Sequence, residues 1–199
     1  STEPETFAYY KKMKEKHPSF HVVTWKEGFN YSAINNFGAS FAKGEYLLLL
    51  NNDTELLEPD SIREMLGFCQ REEVGIAGAR LLYADDTIQH AGVVVGLGGV
   101  AAHVLCKLPR DAEGYMGRLR CVQEISAVTA ACMMVKTSVF KAVGGFDEEL
   151  KVAFNDIDLC MKVRKYGVKI VFTPYAELYH YESKSRGMED TPEKQLRFS

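Results

Sequence analysis

The chain has 199 residues, of which 46% are hydrophobic and 26% charged, an ordinary globular composition with enough length for one substantial domain and a packed core. Its 24 Lys and Arg against 27 Asp and Glu leave a net charge of −3, with both signs interspersed and no basic run that could track a phosphate backbone, so nucleic acid is excluded as the expected partner. No stretch approaches the roughly 18 consecutive apolar residues of a membrane span, since even Tyr46–Leu50 is closed off by Asn51 and Asp53.

From the amino end, residues from about Pro4 to Lys16 have helix-forming composition and stop at His17-Pro18, because the residue before proline avoids the helical region. Phe20–Trp25 reads as a strand. Tyr31 to Ala42 is predicted helical, ending at Gly44 as a left-handed cap, and Glu45–Leu50 follows as a strand. Four consecutive leucines imply burial on both faces, as in a central parallel strand.

Pro59 opens a second amphipathic helix that runs to about Arg71, with Ile62, Met65, Leu66 and Cys69 at helical spacing. Val74–Leu82 and Ile88–Val95 are strand-like. Gly96 to Arg120 reads mostly as loop. Val128–Val135 is a further predicted strand, Ser138–Val143 a short helix, Asp156–Tyr166 an amphipathic helix and Lys169–Phe172 a strand. The alternation of strands and helices predicts an α/β domain over 1–199 with a mostly parallel central sheet, whose ligands bind at the carboxyl ends of the strands.

Five widely spaced cysteines, Cys69, Cys106, Cys121, Cys132 and Cys160, suggest neither a disulfide framework nor a metal knuckle, and read as small core residues of a reducing compartment. Ser1-Thr2-Glu3-Pro4 lacks the basic stretch and apolar core of a secretory leader.

Three motifs could carry chemistry. Leu47-Leu48-Leu49-Leu50-Asn51-Asn52-Asp53 delivers two amides and a carboxylate to the end of a strand, where Asp53 could hold Mg²⁺ or Mn²⁺ if substrate phosphates supply the remaining oxygens. The same residues also fit an Asx turn. In Phe154-Asn155-Asp156-Ile157-Asp158-Leu159-Cys160, a spacing of about 100° per residue puts Asp156 within the apolar face of Ile157, Leu159, Cys160 and Val163, with Asp158 opposite beside Lys162 and Lys165. A carboxylate in an apolar stripe is costly unless it faces a site, so Asp156 is a candidate general base; the alternative is an Asn155 cap reciprocated by Asp158, with Asp156 merely complementing the helix dipole. Tyr179-His180-Tyr181-Glu182 brings an imidazole to the same edge, as ligand or as structural histidine, while His90 and His103 have weaker claims. Gly144-Gly145-Phe146-Asp147 is a tight turn ahead of the Asp156 helix.

The order of these motifs resembles the family 2 glycosyltransferases, inverting enzymes of the GT-A fold that build bacterial surface polysaccharides. Gly44-Glu45-Tyr46-Leu47 running into Leu50-Asn51-Asn52-Asp53-Thr54 looks like their DxD motif, Gly144-Gly145-Phe146-Asp147-Glu148 like their acceptor-side turn, and Asn155-Asp156-Ile157-Asp158-Leu159-Cys160 like their ED-type motif. Gly28 to Asn36, and Leu178-Tyr179-His180 with Glu182, Ser183 and Arg186-Gly187, are similar to a subgroup of the same enzymes.

The resemblance implies that Asp156 is the catalytic base, that Asp53 and His180 lie at the divalent cation, Mn²⁺ or Mg²⁺, and that Asn51, Asn52, Asp53, Gly145 and His180 lie against a nucleotide-diphosphate sugar. It also implies a glycan or lipid-linked acceptor and a cytoplasmic location, at the inner face of the membrane in the full-length protein. Asn51 stands where the motif's first Asp is usual, and Asn155 replaces a Glu. The family's opening strand and the next one would lie before Ser1, leaving an uncovered sheet edge. Two rival readings are a nucleotidyltransferase and a non-catalytic nucleotide-sugar or glycan binding module.

Overall fold

The computed structural model describes residues 4–97 and 100–181. In chain order these form α1 (Pro4–Lys16), α2 (Tyr31–Phe41), β1 (Tyr46–Leu50), β2 (Thr54–Leu56), α3 (Ser61–Cys69), β3 (Val74–Leu82), β4 (Ile88–His90), β5 (Val93–Val95), β6 (Ala101–His103), a 3-10 segment (Tyr115–Arg120), β7 (Gln123–Glu124), β8 (Cys132–Lys136), α4 (Thr137–Ala142), α5 (Asn155–Tyr166) and β9 (Lys169–His180). Glu182, Ser183 and Arg186-Gly187 lie outside the described residues.

The main sheet runs β1-β8-β3-β9-β2, with β4 added beside β3 and β7 beside β9. Of these neighbours only β3 and β9 are parallel; β1·β8, β8·β3, β9·β2, β3·β4 and β7·β9 are antiparallel. The sheet is therefore mixed rather than mostly parallel. Alternating elements did not reveal that β8 inserts, reversed, between β1 and β3.

β1 is correspondingly an edge strand, not a central one: Leu47 and Leu49 are buried while Leu50 is exposed. A leucine run cannot distinguish a two-faced core strand from one whose outer edge is bordered by other apolar groups. Here the border is a groove of about 440 Å³ lined by Val23, Trp25, Ile34, Phe37 and β1 itself. Phe20–Trp25, predicted as a strand, passes this edge without joining a ladder; β-branched and aromatic composition makes a strand only where a neighbour offers its backbone.

Other boundaries moved for identifiable reasons. Gly44 is not left-handed; α2 ends instead at Ala42, whose N–H reaches the Ala39 carbonyl. Ile88–Val95 is broken into β4 and β5 at Gly92, whose φ of +101° leaves the sheet and whose Cβ, if present, would overlap Ile125. The predicted loop from Gly96 to Arg120 contains β6 and the 3-10 segment. Val128–Val135 becomes strand only at Cys132, because Ala127 to Ala131 is drawn aside to line the rim of the sheet. Lys169–Phe172 is the start of a strand that continues to His180.

The two-residue period of the strands sorts the core into two layers. Ala77, Ala79 and Leu81 of β3, with Cys132 and Met134 of β8, pack on Met65 and Cys69 of α3. Ile76 and Leu82, with Met133, Val135, Ile170 and Phe172, pack on Leu159, Cys160 and Val163 of α5 and on Val139 and Phe140 of α4. The buried cysteines are Cys69, Cys132 and Cys160, as expected, whereas Cys106 and Cys121 are exposed.

Gly78 lies on the second face of β3, and a Cβ there would come within 2.5 Å of the Val128 side chain. The close approach lets the Ala127–Ala131 segment lie on the sheet just before the site. Gly78→Ala is expected to lower unfolding stability by about 1–3 kcal/mol through overpacking, measured by urea titration; an unchanged midpoint would contradict this packing.

Candidate functional site

The predicted residues other than Gly145 meet where β1 and β9 end and β8 and α5 begin. The β1·β8 register pairs Leu50 with Cys132, so Asn51 emerges beside Ala131 and donates its backbone N–H to the Ala131 carbonyl at 2.9 Å. The turn then reverses into β2, whose Thr54 pairs with His180. Thr54 Oγ1 donates to the Asn51 carbonyl, and Tyr181 N–H donates to the Asp53 carbonyl. The turn is thus an ordered reversal held through backbone carbonyls, not by an Asn or Asp side chain, and it carries Asp53 to the imidazole.

His180 Nε2 lies 3.3 Å from both Asp53 Oδ1 and Asn51 Nδ2. Its other nitrogen, Nδ1, lies 2.7 Å from Gln89 Oε1. Asp53 Oδ1 is buried and accepts no hydrogen bond, a condition that burial makes costly unless a cation completes it. One carboxylate oxygen and one imidazole nitrogen are a fitting partial donor set for a divalent ion whose remaining ligands are phosphate and water. Among the described residues no group of three or more His, Cys, Asp or Glu forms a closed metal cage. Asn52 is exposed beside this pair.

Asp156 reaches the same rim from α5. Its Oδ2 accepts from the Ala130 N–H at 3.3 Å and its Oδ1 from the Ile157 N–H at 2.9 Å, within the helix's first turn, where the dipole complements negative charge. The Ala130 carbonyl in turn accepts from Tyr31 OH at 3.1 Å, and that hydroxyl lies 3.5 Å from Asn51 Oδ1. A run of polar contacts therefore links Asp53, His180, Asn51, Tyr31, Ala130 and Asp156.

The capping alternative for Asn155 does not hold. Phe154 occupies the cap position with φ 62°, and buried Asn155 is already helical, its amide donating to the Leu150 carbonyl. Asp158 pairs with Lys162 at 2.7 Å instead of reciprocating a cap.

Apart from Tyr31, whose hydroxyl reaches Asn51 and Ala130, the Gly28 to Asn36 stretch holds the loop before α5. Asn30 Nδ2 donates to the Glu148 carbonyl, Ser32 Oγ to the Leu150 carbonyl and Asn36 Nδ2 to the Phe146 carbonyl, while Phe146 N–H returns a bond to Asn36 Oδ1. Gly145, at φ +68°, belongs to this joint: a Cβ there would meet Asn36 Oδ1 at 2.6 Å and the Phe140 ring at 3.1 Å. It is packed against α2 and α4.

Sequence reasoning missed Gln89, Tyr31 and Ala130, and gave His90 only a weak claim to the site. His90 is fully buried; its Nε2 accepts from the Thr129 N–H at 3.4 Å and its Nδ1 lies 2.7 Å from His103 Nδ1. Burial first, then the nearby His103 and His180, hold its pKa well below the usual 6.5. The buried thiols offer no rival nucleophile, because burial pushes Cys69 and Cys132 up to about 12 and Cys160 higher still. A cavity of about 660 Å³ lined by Arg80, Asp85, Asp86, Arg110, Asp111 and Arg120 includes none of the predicted site residues. Two of its arginines are already engaged, since Arg80 and Arg110 both grip Glu177, the latter at 2.7 Å.

This architecture defines a GT-A glycosyltransferase fold. The chain belongs to the family described as Glycosyltransferase like family 2, whose profile matches residues 3–197. It is 50% identical over its whole length to the Sinorhizobium fredii protein named "Uncharacterized protein y4gI", and covers 22% of that protein. It is 40% identical over 194 residues, 97% of its length, to O-antigen biosynthesis protein RfbC of Myxococcus xanthus, and covers 15% of it. The chain thus spans less than a quarter of the length of either relative. Among solved structures it is similar to the mannosyltransferase PcManGT of Pyrobaculum calidifontis in complex with GDP-Man and Mn²⁺, with a TM-score of 0.65, 16% identity, and coverage of 94% of this chain and 47% of that one. Among the described residues no helix is long and apolar enough to cross a membrane.

The buried neutral His90 links folding to pH with a definite sign. The unfolded chain takes up the proton near the usual 6.5 and the folded chain resists it, so stability falls as pH drops below 6.5. Urea unfolding at a series of pH values is expected to show a shallower loss on acidification in His90→Gln than in the wild type. Identical slopes would contradict a neutral, buried His90.

Proposed function

We propose that the chain forms the catalytic GT-A unit of an inverting transferase, moving a sugar from a nucleotide-diphosphate sugar to a glycan or lipid-linked acceptor during the synthesis of bacterial surface polysaccharide. One observation carries this reading: the polar path through Ala130 that puts the Asp156 carboxylate on the same rim as the Asp53–His180 pair. Family membership and the name of the Myxococcus xanthus relative support the sugar-transfer context. The Mn²⁺ and GDP-Man of the similar mannosyltransferase structure support the cofactor and the donor class.

The roles follow from the chemistry at each end of the path. Asp53 and His180 would hold the divalent cation, which when bound supplies positive charge to the leaving diphosphate. Asn51 contributes a neutral amide beside His180, suited to hydrogen bonding with the nucleotide and unable to add charge. Asn52, exposed in the same turn, would meet the same ligand.

Asp156 acts as general base. Its carboxylate takes the proton of the acceptor hydroxyl as that oxygen bonds to the anomeric carbon, while the bond from that carbon to the diphosphate oxygen breaks and its electron pair departs with the nucleotide. Attack opposite the leaving group inverts the anomeric centre without a covalent enzyme intermediate. The Ala130 and Ile157 N–H groups fix the carboxylate's orientation, and the Asn30, Ser32 and Asn36 bonds fix the loop from which its helix starts. Gly145 serves that loop, so its part in donor binding is indirect.

In the full-length protein, Asp156→Asn is expected to reduce sugar transfer by about 10²–10⁴-fold, the usual worth of general-base catalysis, while circular dichroism and melting temperature stay near wild type. Turnover is followed as nucleoside diphosphate release from UDP-, GDP- and dTDP-sugars with Mn²⁺. Near-normal turnover in the variant would remove Asp156 from the mechanism, and absence of transfer by the wild type across donors and acceptors would favour a binding module.

A further inference from the structure

We propose that Gln89 is a positioning residue that locks His180 in the tautomer protonated on Nδ1, so that Nε2 stands unprotonated between Asp53 and the Asn51 amide. The inference rests on the reading of Asp53 and His180 as cation ligands and assigns a residue that keeps the second of them ready.

The backbone prepares the arrangement. In the β3·β4 ladder Leu81 pairs with His90 but Leu82 pairs with Ile88, which leaves Gln89 as the extra residue of a β-bulge. Bulges re-aim side chains and concentrate next to functional sites. Gln89 is 6% exposed, and all three residues of β4 are buried, so its amide must find partners inside the protein.

Both ends of that amide go to one residue. Gln89 Nε2 donates to the His180 carbonyl at 3.3 Å, and Gln89 Oε1 lies 2.7 Å from His180 Nδ1. A carbonyl oxygen can only accept, so the amide nitrogen must face it and the amide oxygen must face the ring. That oxygen also only accepts, so Nδ1 must carry the proton. In a neutral imidazole Nε2 is then unprotonated.

The consequence lies 3.3 Å away on two sides: the Asn51 amide nitrogen can donate to Nε2, but with Nε2 unprotonated the ring donates nothing to the buried Asp53 Oδ1. Two electron-rich atoms are held near each other, an arrangement that a cation relieves. With leucine at position 89 the ring is free to carry its proton on Nε2 and donate it to Asp53, which closes the site. Outer partners of ligating histidines act in this way and typically contribute 10–100-fold to metal affinity.

The test reads the tautomer before any metal is added. Ring ¹⁵N shifts of His180, assigned by their loss in His180→Gln, are recorded on the metal-free protein at about pH 8, where an ordinary imidazole is neutral. Mn²⁺ binding is then measured by water-proton relaxation. The wild type is expected to show protonated Nδ1 and bare Nε2; Gln89→Leu is expected to move the proton to Nε2 and weaken Mn²⁺ binding about 10- to 100-fold. Gln89→Glu, which still accepts from Nδ1, is expected to retain the wild-type tautomer. Protonated Nε2 in the metal-free wild type, or Gln89→Leu with unchanged tautomer or unchanged Mn²⁺ affinity, would overturn the proposal. A wild type with the expected tautomer but no affinity for Mn²⁺ would overturn the cation reading of Asp53 and His180 while upholding the lock.

Discussion

Ala130 is the hinge on which the site depends. Its N–H reaches Asp156 Oδ2 and its carbonyl receives Tyr31 OH, so the backbone of one residue joins the helix bearing the candidate base to the turn bearing the candidate cation ligands. A backbone contact is a sound choice for this task. It cannot swing away as a side chain can, and neither group can be left unpaired in a part-buried setting without cost. Everything that places Ala130 therefore also places the chemistry: β8 running antiparallel beside β1, the bare Gly78 beneath Val128, and the imidazole of His90 on the Thr129 N–H.

Around that unit the molecule separates rigidity from reactivity. Two hydrophobic layers clamp the middle of the sheet, with α3 on one face and α4 and α5 on the other. The polar residues gather where the strands stop. The amino end of α2 then stitches itself to the loop from Phe146 to Leu150 through three side-chain-to-backbone bonds, so the start of α5 is fixed from outside the sheet. Asp158 and Lys162 close an ion pair on the other side of α5 and leave Asp156 as the carboxylate facing the rim.

Much of this was legible in the residue order. The periodicity of Ile157, Leu159, Cys160 and Val163 places Asp156 on the buried side of its helix, and a run of leucines ending in Asn51-Asn52-Asp53 announces a strand that delivers polar groups. What the order did not show has common physical causes. Strand direction is invisible to hydrophobic pattern, so a mixed sheet was read as mostly parallel. Phe20–Trp25 has strand chemistry, but pairing needs a neighbour that composition does not reveal. Gln89 sits in an unremarkable polar-apolar alternation, and only the register slip against β3 exposes it as a bulge. Gly145 was expected at the nucleotide sugar, whereas its missing Cβ makes room for Asn36 and Phe140; a glycine's reason is three-dimensional.

The central claim is that Asp53 and Asp156 serve one cleft. The most direct measurement is paramagnetic broadening of backbone amides by Mn²⁺ added with a nucleoside diphosphate, read residue by residue in a ¹H–¹⁵N spectrum. The account predicts that the Ala130 and Ile157 amides, which hold the Asp156 carboxylate, broaden together with Asp53 and His180, and that Asp53→Ala abolishes the effect at all four. Broadening confined to Asp53 and His180, with Ala130 and Ile157 left sharp, would contradict it.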